Sequence, residues 1–533
     1  MSHNIKVMRY YCATWLLAFP CIAAAATCED MAKISLAETS ISTAQSVPAG
    51  SYTPPDGHAL PNLPAFCRVA GVIKPSADSN IQFEVWMPSS GWNGKFQGIG
   101  NGGFAGDISF GGMAGAVAHG YATASTDTGH HAGGTDATWA LDHPEKIVDF
   151  GYRAIHETAD KAKSIIRAFY GEAARRSYFS SCSNGGRQAL MEAQRFPADY
   201  DGIIAGAPAN FWTHLLTAAA WDIQATLSDP ASYIPASKLP AIEAAALDAC
   251  DALDGVKDGV IEDPTQCHFD PSKLLCTGPD SDKCLTAPQV TALKKIYAGP
   301  TDSKHRQVFP GYSPGGEAER GGWAVWITGM APEKALMFAF GTQFFKNMVF
   351  DKAAWDYHTF LVDRDAKAAD DKAASILNAT DPNLQPFKKR GGKLILYHGW
   401  SDAAIPAENA IDYYQSVVAS MGAQDTASFV RLYMVPGMEH CGGGAGPDVF
   451  GQFSVAQGDP QHDMATDLEH WVENGAAPQE IVATKYKNPS NPSDGALRTR
   501  PLCPYPQVAR WKGTGSTDDA ANFVCAVSEH ASR

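Results

Sequence analysis

The sequence predicts an α/β fold: an α/β-hydrolase core with a large inserted lid domain. Three stretches carry this expectation. Tyr178-Phe-Ser-Ser-Cys-Ser-Asn-Gly-Gly-Arg-Gln188 reads as the end of a buried strand followed, from Gly185 through Gln188, Leu190, Met191 and Ala193, by an amphipathic helix. Leu394-Ile-Leu-Tyr-His-Gly-Trp-Ser-Asp402 is an apolar strand running into a loop with an acid, and Phe429-Val-Arg-Leu-Tyr-Met-Val-Pro-Gly-Met-Glu-His440 is another ending in a histidine. Ser183, Asp402 and His440 follow the chain order Ser…Asp…His of α/β-hydrolases. Each lies just past the C-terminal end of a strand, where open α/β sheets place their sites.

The turn at Ser181-Cys182-Ser183-Asn184-Gly185 is a nucleophile-elbow pattern, Gly-x-Ser-x-Gly, with Ser181 in the first glycine's place. Strand and helix pass close there, so both flanking positions must be small, and Ser181 is small enough. The turn would push the Ser183 hydroxyl out at a helix N-terminus, where backbone N–H groups face a developing oxyanion. Further upstream, Lys95-Phe-Gln-Gly-Ile-Gly-Asn-Gly-Gly-Phe-Ala-Gly106 is a strand entering a glycine-rich loop. It lacks the Gly-Lys-Ser/Thr of a phosphate loop. It reads instead as the second half of an oxyanion hole, with Gly103 and Asn184 as the two N–H donors.

The chain has 533 residues, enough for a large core and more than one domain, and a formal charge of −15. That acidic balance argues against nucleic acid or an anionic membrane as partner. Lys6 and Arg9, an apolar run from Cys12 through Ile22 and Ala23-Ala-Ala-Ala26 form a secretory signal peptide, expected over residues 1–26. The apolar run is short for a membrane span, so no membrane association is expected once it is cleaved. Of 12 cysteines, Cys12 and Cys21 would leave with the leader. The remaining even number suits a disulfide framework and a secreted or periplasmic protein. No Cys-x-x-Cys pair supports a zinc site. The sequence specifies no oligomeric state.

Cys182 precedes the candidate serine and Cys441 follows the candidate histidine. This Cys-Ser…Asp…His-Cys arrangement resembles the tannase/feruloyl esterase family, which also includes mono(2-hydroxyethyl) terephthalate hydrolase, and the likeness runs over most of the mature chain. With locality, the resemblance implies the pairs Cys28–Cys67, Cys182–Cys441, Cys250–Cys267, Cys276–Cys284 and Cys503–Cys525.

Residues 29–90 read as a β-rich segment. In it Gln82-Phe-Glu-Val-Trp-Met87 partly alternates and stops at Pro88, as an antiparallel edge strand would. Tyr121 to His130 is the next strand, and His130 and His131 read as structural. A long helix is expected from about Ile147 to Phe169, then the elbow, then a strand from Tyr200 to Pro208. From about residue 210 to 385 the alternation of strands and helices stops, and the acid and histidine come only afterwards. The core is therefore expected at 29–209 and 386–533, with 210–385 as a lid over the site. Helices are expected again over Glu408–Met421 and Met464–Asn474.

Within the lid, Cys250-Asp-Ala-Leu-Asp-Gly-Val-Lys-Asp-Gly-Val-Ile-Glu262 is an acidic loop punctuated by glycines. Calcium takes six to eight oxygens, backbone carbonyls among them. Asp251, Asp254 and Asp258 with the carbonyls of Val256 and Val260 would form a compact site. The spacing is not that of an EF-hand, and a solvated acidic turn is the plain alternative. The family resemblance matches the loop to a structural calcium site, which would brace the lid and leave the chemistry alone. Gly321-Gly-Trp-Ala-Val-Trp326 and Met337-Phe-Ala-Phe-Gly-Thr-Gln-Phe-Phe345 are aromatic lid segments. Most of their rings are expected in the core, and one or two against an aromatic acyl pocket.

The resemblance implies a serine carboxylesterase acting on a small aromatic ester through an acyl-enzyme, without an organic cofactor. The acyl groups it implies are hydroxycinnamates such as ferulate, gallate, and the terephthalate monoester. The terephthalate branch holds its substrate's free carboxylate with a lid arginine, a group suited to bidentate pairing. No arginine occurs here between Arg320 and Arg364, and Ala403, Ala404 and Ile405 after the candidate acid offer only apolar surface. Neutral phenolic rings are therefore expected. A peptidase and a catalytically silent hydrolase-fold binding module are the readings from other classes. Hydrolysis of p-nitrophenyl acetate and reaction with a serine-directed phosphonate separate them from an esterase.

Overall fold

The computed structural model describes residues 26–453 and 458–527, so all but Ala26 of the expected leader lies outside the described residues. Nine strands build one mixed sheet: β1 (Thr39–Val47), β2 (Phe66–Ile73), β3 (Ile81–Pro88), β4 (Lys95–Ile99), β5 (Ala122–Thr126), β6 (Arg176–Cys182), β7 (Gly202–Gly206), β8 (Lys393–Gly399) and β9 (Val430–Val435). Their order across the sheet is β1-β2-β3-β5-β4-β6-β7-β8-β9. The first three pair antiparallel, and β3 pairs antiparallel with β5. From β5 to β9 every pairing is parallel. Runs such as Ile203-Ile204 and Leu394-Ile-Leu-Tyr397 are buried along their length, as strands covered on both faces must be.

Helices supply that cover. α1 (Ala154–Tyr170) turns Ile155, Ala159, Ala162, Ile165 and Ile166 onto the sheet, and ends at Gly171, whose φ of 76° suits a left-handed stop. It is preceded without a break by a helical turn at Pro144–Val148 and a π turn at Asp149–Arg153, so the helix expected over 147–169 is present with an irregular first part. α2 (Asn184–Arg195) follows the elbow, and α3 (Trp212–Leu227) and α4 (Leu336–Phe344) pack on each other within the inserted region. α5 (Glu408–Met421) joins α1 and α2 on one sheet face, while α6 (Met464–Asn474) places Leu468 and Trp471 against Tyr178, Ile204, Ile395 and Tyr433 on the other. Among the described residues, no helix is long and apolar enough to cross a membrane.

The chain between the end of β7 and the start of β8 is the insertion. It packs on the sheet's loops through an apolar cluster in which Trp212, Leu215, Phe344 and Phe345 meet Phe104, Trp139, Phe150, Ala404 and Ile405. Burying one such large side chain is worth about 1.5–3 kcal/mol. Their sum ties the insertion to the loops that carry the candidate site. Disulfides join Cys28–Cys67, Cys182–Cys441, Cys250–Cys267, Cys276–Cys284 and Cys503–Cys525.

One expectation fails. The strand at Gln82–Met87 is not an edge: β3 is flanked by β2 and β5, and β1 lies beyond β2. Pro88 is the strand's last residue, opposite Phe66. A proline there gives up one terminal donor without disturbing the ladder within.

Candidate active site

Ser183 stands between β6 and α2 with φ 65° and ψ −127°, a backbone conformation rare for a residue with a side chain. Its N–H donates to Gly206 O (2.9 Å) and its carbonyl accepts from Ala209 N (3.2 Å), so the end of β7 fixes the turn from both sides. A Cβ at Gly185 would lie 1.9 Å from Ser181 Oγ, and one at Gly186 would lie 2.3 Å from Gly206 O. The serine in the elbow's first small position is thus accommodated by glycine across the turn. Arg187, wholly buried, donates from Nε to Asn184 Oδ1 (2.8 Å) and from its other nitrogens to the carbonyls of Phe150, Gly151 and Leu377. This fan holds the first turn of α2 in place.

The loops after β8 and β9 meet Ser183 from the other side. His440 Nε2 lies 2.9 Å from Ser183 Oγ, and His440 Nδ1 lies 2.9 Å from Asp402 Oδ2. Asp402 Oδ1 accepts from the N–H groups of Ala404 and Ile405 (both 2.8 Å). A second histidine, His398, places Nε2 3.1 Å from Asp402 Oδ2. Burial opposes the charge on Asp402, yet His440 and His398 together hold its carboxyl well below the usual carboxylate range. The two loops are also tied by backbone bonds, Trp400 N to Val435 O (2.9 Å) and Ser401 N to Met438 O (3.0 Å). The Cys182–Cys441 disulfide adds a covalent link beside them, with Cα atoms 6.1 Å apart.

Gly103 sits in the loop after β4 with φ 54°, and a Cβ there would come 2.3 Å from Gly134 O, so only glycine fits. Asn101, Phe104 and Ala105 donate their N–H groups to Gln188 Oε1, Gly134 O and Gly102 O. Among the described residues, the N–H groups of Gly103 and Asn184 have no acceptor, as donors reserved for a ligand would not. Buried His130 donates from Nε2 to Phe104 O (2.8 Å) and stacks on Trp139, which holds this loop. From the insertion, the Trp326 ring meets the His440 ring edge to face at 4.9 Å. Phe340 stacks on Trp326 at 6.3 Å and stands 5.2 Å from Phe104. Phe104, Phe340, Trp326 and His440 thus form a continuous aromatic wall from the glycine loop to the histidine.

A family model described as tannase and feruloyl esterase matches residues 67–526. The chain belongs to that family. It is a carboxylic ester hydrolase of the α/β-hydrolase fold. It is 46% identical over 530 residues to an uncharacterized esterase of Xanthomonas campestris pv. campestris, covering 95% of this chain and 92% of the relative. It is 33% identical over 534 residues to the mono(2-hydroxyethyl) terephthalate hydrolase of Piscinibacter sakaiensis, covering 87% and 85%. Its fold superposes on the crystal structure of feruloyl esterase B from Aspergillus oryzae with a TM-score of 0.85 at 31% identity, covering 94% of this chain and 99% of that one.

The acidic loop of this family member wraps tightly. Asp251 accepts from the N–H groups of Asp258 (3.1 Å) and Gly259 (3.0 Å), Asp254 from Val256 (2.9 Å), and Asp258 from Val260 (3.2 Å). Val256 and Val260 are buried, and among the described residues their carbonyls accept no hydrogen bond. Arg498 and Arg500, from the C-terminal hairpin formed by the antiparallel strands Ile481–Tyr486 and Ala496–Leu502, pair with Asp258. Even so, burial pushes Asp254 upward, with the charge of Asp258 adding to it, and burial pushes the neighbouring Glu262 up to about 8. Buried carbonyls that accept no hydrogen bond, beside acidic side chains, suit a hard, oxygen-seeking cation, although Asp258 is already paired with two arginines and the carboxylate oxygens of Asp251, Asp254 and Asp258 are not gathered within 4.8 Å of one another. Asp251, Asp254 and Asp258 with the two carbonyls would hold calcium, and its role would be to brace the loop against the hairpin.

Two features escaped the sequence. Ala403, Ala404 and Ile405 do not furnish pocket surface: all are at most 2% exposed, and Ala404 and Ile405 instead lend their N–H groups to Asp402. The reason is steric, because the insertion packs directly on this turn. In the sequence, His398 is a single polar position within an apolar strand. The one signal that could have marked it is a histidine on a fully buried strand, where a polar side chain needs a partner.

Proposed function

We propose that the chain is a secreted or periplasmic serine esterase that hydrolyses esters of hydroxycinnamic acids through an acyl-enzyme. The observation that carries this reading is the chain of contacts Ser183 Oγ to His440 Nε2 to Asp402 Oδ2, 2.9 Å at each step. Ser183 Oγ bonds to the ester carbonyl carbon as His440 Nε2 takes its proton. His440 then returns that proton to the leaving alkoxide as the C–O bond breaks, and a water repeats the sequence to release the acid. Asp402 keeps the imidazole turned and stabilises its charged form. The N–H groups of Asn184 and Gly103 receive the oxyanion. Five disulfides favour an oxidising compartment. Calcium in the loop at Asp251, Asp254, Val256, Asp258 and Val260 is part of the same reading.

The aromatic wall of Phe340 and Trp326 supports an aromatic acyl group. The arginines Arg306, Arg320 and Arg364 favour a neutral one. Arg306 pairs with Asp302 and Arg364 with Asp365, and Arg320 is exposed to solvent. A terephthalate monoester would then have no arginine already fixed for its free carboxylate, with Lys346 and Arg320 among the cations left to meet it, and gallate esters are the second reading. The deciding experiment is kcat/KM on methyl ferulate, methyl p-coumarate, methyl gallate and mono(2-hydroxyethyl) terephthalate. Preference for the first two is expected. Preference for the last would overturn the substrate assignment and leave the serine mechanism standing.

A further inference from the structure

His398 is fully buried near the end of β8, one turn of chain before Asp402. Its Nε2 has two neighbours, Asp402 Oδ2 at 3.1 Å and Ile405 O at 3.0 Å. A backbone carbonyl only accepts, so Nε2 carries the ring proton and shares it between the two oxygens. Asp402 Oδ2 is also the oxygen that receives His440 Nδ1. The other ring nitrogen of His398, Nδ1, is buried and has no hydrogen-bond partner among the described residues. A stranded polar atom costs stability that an apolar ring of the same shape would avoid. Packing alone would therefore favour phenylalanine or leucine here, as at the neighbouring positions Leu394 and Leu396. The Nε2–H contact is what distinguishes histidine.

We propose that His398 is a positioning residue for the ester hydrolysis, holding Asp402 Oδ2, the oxygen that His440 also meets, on line with that imidazole. This rests on the reading of Ser183, His440 and Asp402 as the reacting set. Two effects follow from the contact. It fixes the carboxylate's direction, where a displacement of about 1 Å costs on the order of a hundredfold in rate. It also spreads the carboxylate's charge, so that losing it would concentrate the charge on His440, stabilise the imidazolium and move the acid limb of the rate profile to higher pH. Glu439, Tyr312 and Tyr397 also face Asp402 and stay the same in every variant.

The test compares His398→Phe, His398→Asn and His398→Gln in the full-length enzyme with methyl ferulate, recording kcat, KM, the pH profile of kcat/KM and the melting temperature. Phenylalanine fills the space without a donor, asparagine stops short of Oδ2, and the glutamine amide reaches the place of Nε2. The Phe and Asn variants are expected to lose roughly 10- to 100-fold in kcat with KM within about twofold, and to shift the acid limb upward. The Gln variant is expected within about threefold of the parent with its acid limb restored. Unchanged kcat and acid limb in a folded Phe or Asn variant would overturn the proposal. So would a folded Gln variant as impaired as the Asn variant, a comparison that stands even where the Phe variant does not fold. Ser183→Ala in the same assay separates the two failures: turnover close to the parent's there would sink the reacting set itself, and a large loss there beside unaffected His398 variants would sink only this inference.

Discussion

Cys182 and Cys441, 259 residues apart in the chain, are joined by a disulfide, and each is the immediate neighbour of one partner in the Ser183–His440 hydrogen bond. The bond closes a loop that contains the whole insertion. In the chain-entropy account such a closure constrains the unfolded state by about 5–6 kcal/mol, and real proteins often realise less. Replacing both cysteines with alanine should lower the melting temperature and reduce kcat more than it raises KM, because the serine and histidine lose their shared anchor. Thermal melts and steady-state kinetics on the double variant check this. Parent-like values in both would show that the backbone bonds between the loops suffice.

Chelation should act on stability before it acts on chemistry. The loop from Asp251 to Val260 is braced on the C-terminal hairpin through Asp258, Arg498 and Arg500 rather than on Ser183 or His440. EDTA is expected to lower the melting temperature, excess calcium to restore it by mass action, and kcat at room temperature to change little. Metal analysis of the purified protein should find calcium. A melting temperature indifferent to both additions would remove the ion from the account.

Glu439, next to His440, is 2% exposed, and among the described residues its carboxyl oxygens accept no well-formed hydrogen bond, with only the Ala403 N–H nearby to favour the charged form. Burial, then the charges of Asp402, Glu319 and Glu317, push its carboxyl up to about 10. The folded protein therefore keeps a proton that the unfolded chain releases near the ordinary carboxyl value. Stability from this group is fully present below that value. It declines as pH rises toward about 10 and levels off beyond. Glu439→Gln should be more stable than the parent at pH 8–9, with the advantage shrinking toward pH 4–5. A difference in melting temperature that does not vary with pH would contradict the assignment of a neutral Glu439.

Trp326 should matter for aromatic substrates in particular. It meets His440 edge to face and stacks on Phe340, so Trp326→Ala opens the wall beside the reacting atoms. Loss of one aromatic wall is expected to cut kcat/KM for methyl ferulate by roughly 10- to 100-fold, mostly in KM, and that for p-nitrophenyl acetate much less. Equal losses on both substrates would place Trp326 with the packing of the lid and not with recognition.

The convergence of Ser183, Asp402 and His440 was legible because each closes an apolar strand, and parallel strands deliver their C-terminal ends to one edge. The disulfide partners were legible through a family likeness. An aromatic lid ring near the acyl pocket was expected, but that it would be Trp326 was not legible, since an aromatic ring in a segment without period gives no sign of which loop it will meet 114 residues later. His398 was hidden for a related reason: its partner is close in sequence, but the hydrogen bond depends on how the turn at Ala403–Ile405 folds under the insertion. The misplaced edge at Gln82–Met87 has the same origin. Pro88 reports a missing donor at one position, whereas sheet order is set by which distant strands add outside it.

The central claim is that Ser183 is the nucleophile of an esterase. Its most direct test is the hydrolysis of methyl ferulate by the parent and by Ser183→Ala at matched concentration, with melting curves to confirm that both are folded. The account predicts parent turnover and a loss on the order of 10⁴-fold or more in the variant at an unchanged melting temperature. A folded Ser183→Ala protein that hydrolyses the ester at close to the parent rate would contradict it.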